Sequence, residues 1–106
     1  MKKNIGPNPH QKLIEKRKEI DLIDRKLLSL LNQRLRLAQE IGRFKKEMGE
    51  KIYDPKRERE ILERLKMRLR SGNKGPLKGR DLEKVFRTIM KVCRRAQKVV
   101  NSEVPF

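Results

Sequence analysis

The chain has 106 residues, a formal net charge of +16, 42% charged residues and only 4% aromatic residues. This length fits one domain with a modest aliphatic core that is mostly helical, and the charge favours anionic partners. A single cysteine excludes an internal disulfide, one histidine makes a zinc site improbable, and no run has the length of a membrane span, so a cytoplasmic protein is expected.

Residues 1–10 are predicted to form a flexible leader, because glycine and proline are frequent there and apolar residues are few. A long first helix is predicted over about 11–48, with Gly49 as the residue that follows its end. At 100° per residue, its apolar side chains fall in one sector about 160° wide. A helix close to 60 Å long exceeds a compact domain of this size. We therefore expect part of the sector to meet the chain's own helices and part to meet a second copy of the chain.

Two cations, Arg34 and Lys45, fall inside the apolar sector of the first helix. An uncompensated buried cation is costly, so both are expected to face an anionic ligand or a wet cavity. They project from one face about 16 Å apart, and a compact dianion could bridge them. Arg17 also borders the sector, but it lies roughly 25 Å from Arg34 along the helix. It would reach the same ligand only from an antiparallel partner chain.

The second helix is predicted over 55–71, because Asp54 can serve as its N-cap and a proline occupies its first position. The third helix is predicted over 80–100, from apolar residues at helical spacing. Residues 102–106 are predicted to be a frayed tail. The fold class is therefore all-α, with three helices in one domain over residues 11–101.

The remaining polar groups could complete a site beside the two cations. Asp54, Arg57 and Glu58, in the first turn of the second helix, can fold over one end, and Cys93 and Gln97 share a face of the third helix. The set contains no evident nucleophile, metal-ligand cluster or histidine base. It suits a dianionic, hydroxylated ligand and a reaction that needs shape and charge stabilisation rather than proton transfer.

The order and spacing of these residues resemble the all-helical class of chorismate mutases. The similarity covers about residues 12–98, and its matching segments are 20–24, 27–34, 37–45, 52–58, 75–77 and Gln97. The resemblance implies an intertwined helical homodimer that converts chorismate to prephenate by a Claisen rearrangement, without a cofactor, in phenylalanine and tyrosine biosynthesis.

The resemblance also implies roles for single residues. Arg34 and the partner chain's Arg17 would bind the substrate carboxylates, and Arg57 would be a further arginine of the site. Lys45 and Gln97 would face the ether oxygen of the breaking bond.

Two acidic residues and the cysteine complete the implied set. Glu58 and the Asp54 segment would serve the ring hydroxyl. Cys93 stands where many relatives have serine, and a thiol is a weaker donor, so packing or a marginal substrate contact is expected of it.

Two alternatives come from other functional classes. The charge of +16 also fits a basic helical dimer that binds nucleic acid. Against this, aromatic residues for base stacking are few, and the cations singled out lie on the inner face, so nucleic acid is not the expected partner. The fold could also serve as a regulatory or docking module of an aromatic amino-acid pathway enzyme, although the complete set of site residues argues against an inactive module.

Overall fold

The computed structural model describes residues 6, 8–72 and 75–102, and of residues 99–102 the backbone alone. Within these residues the chain forms three α-helices and no strand, which confirms the predicted all-α class. The helices are α1 (Pro9–Met48), α2 (Pro55–Ser71) and α3 (Gly79–Ser102). Most of the predicted leader and residues 103–106 of the predicted tail lie outside the described residues.

Helix α1 begins at Pro9, two residues before the predicted start. The reason is a reciprocal cap: the Gln11 amide donates to Asn8 Oδ1 at 2.8 Å, and the Asn8 amide donates to Gln11 Oε1 at 3.3 Å. This arrangement satisfies two backbone groups at the helix start, and proline is favoured at the first helical position. Asn8 and Pro9, which precede the predicted start, therefore carry a helix signal together with Gln11.

The end of α1 and the start of α2 follow the predicted local chemistry. Gly49 has φ +70°, and the amide of Glu50 donates to the carbonyl of Lys45 at 2.8 Å, which closes the last turn of α1. At the start of α2, Asp54 Oδ1 accepts from the backbone N–H of Arg57 at 3.0 Å. Both turns fix the short connection between the two helices.

The chain divides into two compact units, residues 1–33 and 34–106. In the first unit the structure describes residues 6 and 8–33, which are almost entirely the N-terminal portion of α1. Its apolar side chains are exposed in the single chain: Ile20 and Ile23 are each 55% exposed and Leu30 is 58% exposed. Single apolar residues are common on a protein surface, but a continuous row of exposed aliphatic side chains is not.

The second unit contains the rest of α1 together with α2 and α3. Its buried apolar residues come from all three helices: Ala38, Leu62, Leu82, Met90 and Cys93. Helices α2 and α3 are also joined by an ion pair from Lys66 to Glu83, which accepts a second hydrogen bond from Arg87 at 3.0 Å. The hydrogen bonds from these two cations lower the pKa of the Glu83 carboxyl.

Helices α1 and α3 approach closely at Gly42. A Cβ atom at this position would lie 2.9 Å from the Cα atom of Gln97 and 3.0 Å from its carbonyl oxygen. Only a residue without a side chain therefore fits between the two backbones. Among the described residues, no helix combines the length and the hydrophobicity of a membrane span.

Candidate active site

One cavity of the second unit, with a volume of about 410 Å³, is lined by side chains of all three helices. This size falls in the range that small-molecule sites occupy. Seven of the eight side chains predicted for the site line it: Arg34, Lys45, Asp54, Arg57, Glu58, Cys93 and Gln97. The eighth, Arg17, belongs to the first unit, where its side chain is exposed. Its role stays a prediction.

Arg34 is held in place by the sulfur of Cys93. The Arg34 guanidinium, half-buried on α1, donates to Cys93 Sγ at 2.8 Å, and Cys93 itself is 5% exposed. Because the guanidinium carries five N–H donors, this contact leaves others for an anionic ligand. The thiol thus has a structural contact within the site, in keeping with the packing role expected of it.

Lys45 has a backbone partner that the sequence did not indicate. Its ammonium group donates to the carbonyl oxygen of Ile52, in the connection between α1 and α2, at 2.7 Å. An ammonium group has three donors, so two remain for other acceptors. The bond fixes the position of the Lys45 charge and ties the connection to the end of α1.

Gln97 is the buried polar group of the site. It is 8% exposed, and its Oε1 atom has no hydrogen-bond partner among the described residues. A buried amide oxygen without a donor is costly in a folded protein, so this side chain is suited to contact with a ligand. The close approach at Gly42 places the Gln97 backbone directly against α1.

The start of α2 contributes three polar side chains to the cavity lining: Asp54, Arg57 and Glu58. Asp54 uses Oδ1 for the helix cap, which confirms that structural role. Arg57 lines the cavity and is only loosely paired, since its Nη1 atom lies 4.0 Å from a Glu60 carboxylate oxygen and both side chains are about half exposed. A pair of this kind contributes little to stability, so Arg57 is available for a ligand.

Glu58 is paired with an arginine that the sequence reasoning missed. Arg94 of α3 places its Nε atom 3.2 Å from Glu58 Oε2, and its guanidinium lies 4.7 Å from the centre of the Tyr53 ring. The signal was present in the sequence, because Arg94 falls between Met90 and Gln97 on the apolar face of α3. Like Arg34 and Lys45 on the first helix, Arg94 is a cation inside an apolar helix face.

The charges around the cavity suit a doubly negative ligand. Among the lining residues are four cations and two carboxylates, an excess of two positive charges: Arg34, Lys45, Arg57, Arg94, Asp54 and Glu58. Complementary charge of this kind steers a ligand and selects it by sign. No group of three or more potential metal ligands occurs in the described part of the chain.

The family model described as chorismate mutase type II matches residues 16–98. The chain belongs to this family. The resemblance noted from the sequence is thereby confirmed. Residues 16–98 include all eight side chains of the predicted site, from Arg17 to Gln97.

Curated relatives include larger proteins. The chain is 37% identical over 90 residues to a bifunctional chorismate mutase/prephenate dehydratase from Aquifex aeolicus, which covers 85% of this chain and 25% of the relative. It is 43% identical over 56 residues to a chorismate mutase from Methanocaldococcus jannaschii, which covers 53% of this chain and 57% of that protein. The chain thus spans about a quarter of the length of the bifunctional relative.

Solved structures of similar length also match. A chorismate mutase from Helicobacter pylori in complex with prephenate has a TM-score of 0.79 and 37% identity, over 90% of this chain and 99% of that one. A chorismate mutase from Thermus thermophilus has a TM-score of 0.73 and 39% identity, over 82% and 94% of the two chains. The three-helix arrangement is therefore that of the family.

Proposed function

We propose that this chain catalyses the rearrangement of chorismate to prephenate, a step of aromatic amino-acid biosynthesis, in the cavity lined by Arg34, Lys45 and Gln97. The observation that carries the proposal is the convergence of these three groups, from α1 and α3, on one cavity of a chorismate mutase family member. The similar chain from Helicobacter pylori holds prephenate, a dianion, and an excess of two positive charges suits such a ligand.

Substrate carboxylates are bound by the arginines in this proposal. Arg34 keeps free N–H donors after its contact with Cys93, and its planar fork matches a carboxylate. Arg57 supplies a second guanidinium from the start of α2. Holding both carboxylates restrains the flexible enolpyruvyl side chain in the compact conformer from which the reaction proceeds, which lowers the entropic part of the barrier.

The bond that breaks in the rearrangement leaves negative charge on the ether oxygen. Lys45, with two donors left after its bond to Ile52, and the buried Gln97, through the NH₂ group of its amide, are the groups proposed to stabilise that charge. The amide would present its NH₂ group to this oxygen, because an oxygen of growing negative charge needs a donor. Glu58 and Asp54 accept a hydrogen bond from the ring hydroxyl. The residues carry out no covalent step, and no cofactor is proposed.

A second copy of the chain completes the site in this proposal. The exposed aliphatic side chains of residues 9–33 need a covering surface, and an antiparallel second α1 would supply one of matching chemistry. If the two-fold axis of the dimer passes near Leu28, Arg17 of the partner chain would lie midway between Arg34 and Lys45 along the axis of α1. The intertwined homodimer would then hold two identical sites, each with one arginine from the other chain.

The activity is tested by following the loss of chorismate by absorbance with the purified chain and with two lysine variants. Lys45→Met should lower kcat/KM by at least about a hundredfold, since removing one group that stabilises developing charge commonly costs this much. Lys91→Met, which removes an equal charge from the exposed surface of α3, should leave the rate unchanged. A wild-type rate no faster than that in solvent would refute the proposal.

The shared site has a separate test in mixed dimers. Homodimers of Arg17→Ala and of Arg34→Ala should each be nearly inactive. A heterodimer of the two variants contains one site with both arginines intact and one with neither, so it should recover about half of the wild-type activity. Inactive heterodimers, with their composition verified by mass spectrometry, would mean that each site is built within one chain.

A further inference from the structure

Arg94 links three parts of the second unit around the cavity. Its guanidinium group, carried by α3, contacts the ring of Tyr53 in the α1–α2 connection and the carboxylate of Glu58 in the first turn of α2. Arg94 and Glu58 are partly buried, with side chains 32% and 18% exposed. Arginine over an aromatic face is favourable, so the guanidinium has two attractive contacts.

The geometry points to Arg94 as a positioning residue of the proposed chorismate site, which holds Glu58 towards the cavity and offsets its charge so that a dianionic substrate can bind beside it. The inference rests on the proposed function. It assigns Arg94 a role through Glu58 rather than a direct contact with the reacting bond.

The charge of Glu58 is the first reason for this assignment. A carboxylate at the wall of a cavity repels a doubly negative ligand unless a cation lies against it. Without Arg94, the lining would keep three cations against two carboxylates, and its excess of positive charge would fall by half. Arg94 thus allows the Glu58 carboxylate to accept a hydrogen bond from the substrate hydroxyl without repelling the anionic substrate.

The form of the contact is the second reason. Arg94 Nε lies within ion-pair distance of Glu58 Oε2, yet the N–H does not point at that oxygen as a hydrogen bond requires, and the buried Nε atom has no hydrogen-bond partner among the described residues. An aligned donor and acceptor would form the stronger charge-assisted hydrogen bond, which Nε and Oε2 do not form. Oε2 can therefore still accept from a substrate hydroxyl while the positive charge stays close.

The test measures kcat and KM for chorismate in Arg94→Met. Losing a partly buried charge partner should raise KM on the order of tenfold and change kcat by a smaller factor. Arg95→Met is the matched control, since it removes the same charge from the next position of α3, where the side chain is exposed. Its KM should stay within about twofold of wild type. Arg94→Lys, which keeps the charge but not the fork, should fall between wild type and Arg94→Met.

The decisive variant combines Arg94→Met with Glu58→Gln. If Arg94 acts by offsetting the carboxylate, removing that carboxylate should bring KM back towards the wild-type value, while kcat falls because the hydroxyl acceptor is weakened. A purely structural role predicts instead that the two substitutions worsen KM together. Thermal unfolding of each variant shows whether the folded fraction is the same.

The outcomes separate the two proposals. An active wild-type chain with an unchanged KM in Arg94→Met, or with no recovery in the double variant, would overturn the role of Arg94 alone. If Arg94→Met does not fold, Arg94→Lys decides, since a KM raised by tenfold or more with the charge retained would also overturn it. An inactive wild-type chain would overturn the proposed function and this assignment with it.

Discussion

Gly42→Ala tests whether the close approach of α1 and α3 serves the site. The new Cβ would lie 2.9 Å from the Cα, 3.0 Å from the carbonyl oxygen and 3.1 Å from the Cβ of Gln97. Two of these are backbone atoms, which cannot turn away. Since ordinary contact begins at 3.4 Å, the helices would have to separate by about 0.5 Å at this point.

The magnitude follows from two opposing terms. Overpacking of this kind costs about 1–3 kcal/mol, while alanine in place of glycine inside a helix contributes about 1 kcal/mol in the other direction. The free energy of unfolding should therefore fall by only about 0–2 kcal/mol. The effect on activity should be larger, because a displacement of 1 Å at a reacting group can cost about a hundredfold, and half of that displacement roughly tenfold in kcat.

The assay combines urea unfolding with chorismate kinetics. Gly72→Ala is the control, because a Cβ there would lie at an ordinary 3.7 Å from the Arg68 carbonyl oxygen and the residue has φ −130°. It should leave kcat unchanged and change stability by less than about 0.5 kcal/mol. The reasoning fails if Gly42→Ala keeps the full kcat, because Gln97 would then tolerate a shift of its backbone.

Three further predictions concern local structure. Asp54→Ala should lower the free energy of unfolding by about 1 kcal/mol through loss of the α2 cap, and Asp54→Asn, which keeps a capping oxygen, should lose much less in the same urea titration. Gly49→Ala should cost about 1–2 kcal/mol, measured by thermal unfolding, because φ +70° is strained for any residue with a Cβ; an unchanged stability would contradict this. Glu83→Gln should lower the free energy of unfolding at neutral pH. Since the pKa of Glu83 is lowered in the folded state, the stabilisation by its carboxylate is complete above the ordinary carboxyl pKa and is lost as the pH falls from about 5 towards 2. The stabilities of wild type and variant should therefore converge in acid, and a difference that stays constant across this range would refute the role of the pair with Lys66.

The helices were predictable because their signals are local. Asp54 and Gly49 each act on backbone groups within a few residues, and the observed helix ends follow them. The observed start of α1 lies two residues before the predicted one, because its cap residue Asn8 belongs to the segment predicted as a leader. Asn8 and Gln11 have the spacing of a reciprocal cap, so the same capping rules account for a start at Pro9.

The candidate site was predictable only where a polar residue interrupts an apolar face. Arg34 and Lys45 stood out in this way on the first helix, and both line the cavity. Arg94 interrupts the apolar face of α3 in the same manner and was overlooked. The carbonyl of Ile52 gives no sequence signal at all, because every residue has one and only the fold decides which carbonyl a lysine meets.

The sequence by itself determined the helices, the family and the charge of the site, since capping, helical periodicity and residue order are all written along the chain. The tertiary structure alone decided that Arg34 donates to the sulfur of Cys93, 59 residues away, and that the Gln97 backbone lies against Gly42. Contacts of this kind depend on the distance and rotation of one helix against another. Packing of all the side chains between the helices fixes both quantities, and no local rule contains them.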